Sequence, residues 1–223
     1  MPPYPLPLFP VEVVLFPGAP LPLHIFEPRY RQMLADCLTG ESRFGIVGPG
    51  RETEAPDAGA VGCAAEIQAN DPLPDGRSNI LVVGGARFVV RRLLDDPAPY
   101  HVGLVEEFEE RPGTLPAAEP VSEVRDLFAR YHRMYRSLQD AEAEAPDLPD
   151  DPVPLSFMIS AALDCDLGIK RRLLALRATD DRVALLVRLI PTLMRALESS
   201  LRVHQRARRN GKGNAHSVLP AES

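Results

Sequence analysis

The spacing of the apolar residues changes once along the chain, and this change restricts the fold more than any other feature of the sequence. Up to about residue 110 apolar residues form short runs broken by glycine, proline and aspartate, whereas from Pro120 onward they recur every three to four residues. The first pattern is typical of β-strands and the second of amphipathic helices. Strands followed by helices indicate an α+β fold, with a β-rich part over residues 1–115 and a helical part over residues 120–201.

Seven runs in the first part have the composition of strands: residues 11–16, 21–26, 44–47, 61–68, 79–83, 87–93 and 102–108. They predict a mostly antiparallel sheet that curls into a barrel or a sandwich. Gly84 and Gly85 predict a bend or bulge between two of these runs. One helix is inserted after the second run, where Pro28 fits the first turn. Its core-facing stripe consists of Tyr30, Met33, Leu34, Cys37 and Leu38.

The second part is expected to hold four helices. The first follows Pro120, two short ones cover residues 155–163 and 170–176, and the last runs from Thr179 or Asp180 to about Leu201. Pro191 should bend this last helix. The acidic residues 140–154 are expected to form a flexible connection, and the basic residues 202–223 a disordered tail, because neither has enough apolar content to anchor it.

Composition excludes several classes of protein. The net charge is −6 and the bases are concentrated at residues 202–212, so the body of the protein lacks the charge of a nucleic-acid-binding surface. Cys37, Cys63 and Cys165 are far apart, which predicts buried thiols rather than disulfides or a zinc site. The first residues are apolar but crowded with prolines, and they lack a basic leader. We therefore expect a cytoplasmic protein that does not interact with membranes.

Motifs for catalysis are missing from the sequence. It has no G-x-x-x-x-G-K-[ST] loop, no G-x-S-x-G elbow and no H-E-x-x-H pair, so neither ATP hydrolysis nor a cofactor or metal site is expected. Asp164 and Asp166 flank Cys165 and should suppress its thiolate. His24 lies in an apolar segment and is expected to form a hydrogen bond at a strand-to-helix junction. An unrecognised hydrolase that uses His24 and Glu27 is one alternative.

Several motifs occur in series. Residues 6–31, LPLFPVEVVLFPGAPLPLHIFEPRYR, resemble the start of the Lon N-terminal domain family. This segment is followed, in the same order as in the family, by RFGIV, VGCAAEI, LPDGR and GARFVV. Weaker matches follow at LSF and KRRLLAL. The resemblance extends over about residues 5–200. It implies a PUA-like β-barrel with one inserted helix, followed by an α-helical bundle.

The resemblance also implies a function. In full-length Lon proteases this region recognises protein substrates and helps to assemble the oligomer, while an ATPase module and a peptidase domain follow. We therefore expect a stand-alone, non-catalytic module that binds unfolded or specific protein segments, as an adaptor or chaperone-like factor in protein quality control. Whether a protease or chaperone takes part, and whether the protein self-associates, is left open.

The proline-interrupted apolar segment is the candidate binding site. Such a segment cannot pair all of its backbone in a sheet, and an extended peptide can dock at the edge that remains. We place the site at Pro22, His24, Phe26 and Arg29, with Phe26 expected in the core and Arg29 facing solvent. The prolines could instead serve only to block aggregation at an edge strand. From another class of function, RNA binding by a PUA-like protein with a basic tail is the main alternative.

Overall fold

The computed structural model describes residues 2–111, 115–139 and 147–212, with side chains as far as Glu198. These residues contain six strands: β1 (Tyr4–Pro10), β2 (Pro20–Ile25), β3 (Arg43–Val47), β4 (Val61–Pro72), β5 (Ser78–Leu93) and β6 (His101–Glu107). They also contain five helices: α1 (Pro28–Thr39), α2 (Ala118–Leu138), α3 (Pro152–Ala162), α4 (Leu167–Ala175) and α5 (Thr179–Lys212). The α+β class predicted from the apolar spacing is confirmed.

The six strands form one mixed sheet in the order β2-β5-β4-β3-β1-β6, and β6 also pairs with β5. Five strands therefore close on one another, and β2 is added alongside β5. All neighbours are antiparallel except β1 and β3, so the mostly antiparallel barrel is confirmed. The first half of β5 lies between β2 and β4, and its second half pairs with β6.

Strand β5 joins two runs that the sequence separates. Its register with β4 shifts where Cys63 lies opposite Arg87 but Ala65 lies opposite Gly84, so β5 has one extra residue there. This confirms the bend or bulge expected at Gly84 and Gly85. A Cβ atom on Gly84 would lie 2.0 Å from the carbonyl oxygen of Phe16, so only glycine allows this close approach.

The first strand was predicted at the wrong place. It spans Tyr4–Pro10, while residues 11–16 form no strand. Pro5 and Pro7 are tolerated because β3 pairs only with Leu8–Pro10, which leaves these prolines with a neighbouring strand on one side. Residues 11–16 instead form irregular chain whose last two residues, Leu15 and Phe16, are buried.

Helix α1 packs its apolar stripe on the inner side of the sheet. Tyr30, Met33, Leu34 and Cys37 are buried in one cluster with sheet residues such as Ile80 and Val82. Leu38, the fifth expected member of the stripe, is exposed. The helix therefore has the predicted position, but its buried face is narrower than the sequence indicated.

The described residues divide into two compact units. One contains the described parts of residues 1–117 and 148–183, and the other contains those of residues 118–147 and 184–223. Helices α3 and α4 are thus grouped with the strands, whereas α2 and most of α5 form the second unit. The expected division into subdomains at residues 1–115 and 120–201 stays a prediction.

Two helix boundaries differ from expectation. Helix α3 begins at Pro152, inside the expected connection 140–154, because the Asp151 carboxylate accepts a hydrogen bond from the Val153 amide and caps the helix. Helix α5 continues to Lys212 instead of ending near Leu201 and contains Pro191. Residues 140–146 of the connection and 213–223 of the tail lie outside the described residues. Where the structure describes the chain, none of its helices is long and apolar enough to span a membrane.

Candidate functional site

Strand β2 lies at the end of the sheet order, and its only neighbouring strand in the described chain is β5. Its residues alternate between the two faces, with Leu21, Leu23 and Ile25 directed toward the core. Pro20, Pro22 and His24 lie on the opposite, exposed face. The candidate segment therefore forms an edge strand with one apolar-lined face in solvent.

The pairing with β5 determines which backbone groups β2 presents along its free edge. The Gly84 amide donates to the Ala19 carbonyl at 3.0 Å, and Pro20 lies opposite Val83, so this pair belongs to the non-hydrogen-bonded kind. The two kinds of pair alternate along antiparallel strands. The backbone groups of Pro20, Pro22 and His24 consequently point away from β5. Because proline has no amide hydrogen, this edge presents three carbonyl acceptors and a single donor, the amide of His24.

Pro22, His24 and Phe26 come together on one surface with Leu81 of β5, and we call these four residues the β2 face. Pro22 lies directly opposite Leu81, and His24 lies opposite Asn79. The Phe26 ring stacks on the His24 ring with 6.1 Å between centroids. Phe26 is 58% exposed and Leu81 is 39% exposed, so the surface is apolar and open to solvent. The expectation that Phe26 lies in the core is wrong.

Both ring nitrogens of His24 lie close to polar side chains. Its Nδ1 lies 2.7 Å from Oδ1 of Asn79, and its Nε2 lies 3.5 Å from a guanidinium nitrogen of Arg77. Glu27 takes no part in these contacts, because its carboxylate accepts from Arg29. The pair of His24 and Glu27 that a hydrolase would need is thus not assembled.

Arg29, the fourth candidate residue, is engaged within the protein. Its guanidinium contacts Glu27 and Glu54, each at 2.9 Å, and stacks over the Tyr30 ring at 4.6 Å. Its side chain is 32% exposed. Arg29 therefore fixes the start of α1 instead of projecting freely toward a ligand.

A cavity of about 320 Å³ lies beside the start of β2. It is formed by the loop before β2 and by one side of α3: Pro17, Gly18, Ala19, Pro20, Pro154, Met158, Ala161 and Ala162. None of these residues carries an ionisable side chain. Sequence analysis missed the cavity because its two walls are more than a hundred residues apart in the chain. The only local signal was the run of small and cyclic residues at 17–20.

Sequence analysis also missed Leu81. Within β5, Ile80 and Val82 face the core, so the residue between them faces outward and would be polar in a strand with one solvated face. An apolar residue at an outward-facing position of a strand could therefore have identified Leu81 from the sequence.

The three thiols have pKa values that disfavour nucleophilic chemistry. Burial raises the pKa of Cys37 to about 11 and that of Cys63 to about 12. Partial burial also raises the pKa of Cys165, with Asp164 and Asp166 acting in the same direction and Lys170 opposing them. Among the described residues there is no group of three or more histidine, cysteine, aspartate or glutamate side chains arranged to hold a metal ion.

Comparison with known proteins identifies the family that this chain matches. The family model of the ATP-dependent protease La (LON) substrate-binding domain matches residues 5–192. A Lon protease of Cytophaga hutchinsonii is 24% identical over 208 residues, which is 89% of this chain and 25% of that protein. A Lon protease of Xanthomonas oryzae pv. oryzae is 27% identical over 191 residues, 83% of this chain and 22% of that protein. The chain thus spans about a quarter of the length of the curated relatives it matches.

A solved structure agrees with these matches. The crystal structure of a Lon N-terminal domain protein from Xanthomonas campestris has a TM-score of 0.63 and 26% identity. The similarity covers 82% of this chain and 97% of that one.

Proposed function

Since the family model covers most of it, the chain belongs to the Lon substrate-binding domain family, and we propose that it binds exposed protein segments at the β2 face. In this proposal it acts without catalysis of its own, as an adaptor or chaperone-like factor alongside a protease or chaperone. The observation that carries the proposal is the apolar surface of Pro22, Phe26 and Leu81 at a free strand edge.

This surface matches what an unfolded chain exposes. Apolar side chains and unpaired backbone amides are both available in extended or unfolded segments, and an extended peptide can add to a sheet edge. The β2 face supplies the apolar area, and the neighbouring carbonyl groups supply hydrogen-bond acceptors. Large contiguous apolar patches on a protein surface are characteristic of binding sites.

RNA binding is less well supported by the contacts around the β2 face. Phe26 could stack on a base, but two of the nearby arginines, Arg29 and Arg77, already pair with carboxylates. Arg29 contacts Glu27 and Glu54, and Arg77 contacts Asp75 at 2.7 Å. A phosphate would have to displace these carboxylates. We therefore propose protein segments, and not RNA, as the ligand of the β2 face.

A binding titration tests the proposal. A fluorescently labelled, permanently unfolded protein is titrated with the wild type, with Leu81→Asp and with Leu115→Asp, while its anisotropy is recorded. Leu115 is also exposed but is not part of the β2 face, so its variant serves as the matched control. We expect binding by the wild type and the control and a loss of affinity in Leu81→Asp, because the new carboxylate would lose hydration against an apolar ligand. Equal affinity of the two variants would argue against the β2 face.

A further inference from the structure

We propose that the cavity beside the start of β2 takes one uncharged apolar side chain of an extended peptide whose amides pair with the free edge of β2. This inference rests on the proposed function and specifies its ligand. The occupant is thus a segment of another protein chain with an apolar anchor and free backbone amides.

The chemistry of the cavity selects an uncharged occupant. Its volume of about 320 Å³ is at the lower end of ligand-binding pockets, which suits a single large side chain. A charged group buried there would lose its hydration without a partner, since no lining side chain is ionisable. Met158 lies at its wall and is partly exposed, and an unbranched thioether adapts to apolar side chains of different shape.

The cavity and the strand edge are continuous. Pro20 lines the cavity and is also the first residue of β2. The outward carbonyls of Pro20, Pro22 and His24 are two residues apart, so successive acceptors are separated by about 6.6 Å. The amides of alternate residues in an extended peptide have the same spacing. A peptide anchored in the cavity can therefore continue along β2 with its alternate amides as donors.

The same edge does not suit a second copy of this chain. If two β2 strands paired through their free edges, carbonyls opposite Pro20 or Pro22 would face a proline nitrogen that carries no hydrogen, and only the His24 amides could donate. Most bonds of such a ladder would remain unmade. The complementary partner is instead a segment with free amides at alternate positions.

Peptide binding to cavity variants tests the proposal. The probe is a labelled ten-residue peptide of serine, threonine and one central leucine. Ala162→Phe fills the cavity from an exposed position on α3, and Ala184→Phe makes the same change at an exposed alanine of α5 outside it. We expect Ala162→Phe to weaken binding about tenfold or more, as losing the burial of one leucine side chain predicts, and Ala184→Phe to leave it unchanged.

Altered peptides test the two parts of the ligand separately. Replacing the central leucine with aspartate should abolish binding. N-methylation of one set of alternate amides should weaken it about tenfold, because their hydrogen bonds are lost, whereas N-methylation of the intervening amides should have little effect. Equal effects of both methylated sets would overturn the strand pairing, and a leucine peptide that binds Ala162→Phe as it binds the wild type would overturn the cavity assignment.

The outcomes also separate this inference from the proposed function. If Leu81→Asp weakens binding of the unfolded protein but Ala162→Phe does not weaken binding of the peptide, the cavity assignment fails alone. If the wild type binds neither probe, both fail. A dimer of the wild type that Ala162→Phe converts to a monomer would make a second copy the occupant and overturn the proposal.

Discussion

Arg87 and Arg182 share the carboxylate of Glu110. The Arg182 guanidinium lies 3.0 Å from Oε2 of Glu110 and 3.8 Å from the centre of the Phe157 ring. Arg87 reaches the other carboxylate oxygen and also donates to the Leu176 carbonyl. Burial lowers the pKa of both arginines, and that of Arg87 to about 10. The two buried guanidinium groups thus depend on one carboxylate and on backbone carbonyls at the end of α4.

Breaking this cluster should destabilise the protein. We expect Arg182→Ala to lower the free energy of unfolding by about 3–5 kcal/mol, because it empties a fully buried site beside the Phe157 ring and leaves the Leu176 carbonyl without one of its donors. Urea unfolding measures the effect. Arg91→Ala is the matched control, since Arg91 pairs with Glu106 at the surface and such pairs contribute about 0–1 kcal/mol. A similar loss in both variants would mean that the buried cluster has no special role.

Phe26→Ala should weaken binding of an unfolded protein and leave the fold intact. The ring of Phe26 is mostly exposed, so its removal creates no core cavity. We expect the Tm to change by no more than a few degrees while the dissociation constant rises. Thermal unfolding and anisotropy titration of the same preparation measure the two effects. A large fall in Tm with unchanged affinity would mean that Phe26 supports the fold and not ligand binding.

Arg29→Glu should affect stability more than Arg29→Gln. The glutamate would place a third carboxylate beside Glu27 and Glu54, whereas the glutamine only removes the attraction. Because these groups are partly exposed, the difference in Tm between the two variants should shrink as salt is added. Thermal unfolding at low and high salt measures this difference. If it stays constant with salt, repulsion between the carboxylates is not its cause.

The thiols should react in the order Cys165, Cys37, Cys63. Cys165 is partly exposed, and burial protects the other two and raises their pKa values. Labelling by a thiol reagent at pH 8, followed by mass spectrometry, gives the order. An acid whose pKa is raised by folding stabilises the fold below its unfolded pKa of about 8.5 and loses this contribution as the pH rises through the folded value. The stability difference between wild type and Cys63→Ala should therefore fall between about pH 8.5 and 12.

Binding of protein segments should depend little on salt. An apolar contact is nearly indifferent to ionic strength, whereas contacts to several phosphates weaken steeply. Helix α5 extends to Lys212, so replacing Arg206, Arg208 and Arg209 with glutamine tests the basic end without shortening the helix. We expect the affinity of this variant for an unfolded protein to equal that of the wild type. A loss of affinity that matches the effect of high salt would favour the RNA-binding alternative.

Much of the fold could be predicted from patterns among residues that are close together in the sequence. The spacing of apolar residues predicted the α+β class, the stripe of α1 predicted its buried face, and Gly84 with Gly85 predicted the bulge in β5. These features were predictable because each depends on residues a few positions apart. Segment 11–16 was misread as a strand because an apolar run buried as irregular chain has the same composition as a buried strand.

The sequence by itself determined the class of the fold, the family motifs and the segment that holds the candidate site. Only the tertiary structure decided that β2 is an edge strand, that Phe26 is exposed, and that Arg87 and Arg182 share one buried carboxylate. The physical reason is how far apart in the sequence the interacting residues lie. Hydrophobic period and turn chemistry act between neighbours, whereas exposure, strand neighbours and the cavity beside α3 depend on segments that meet only when the chain has folded.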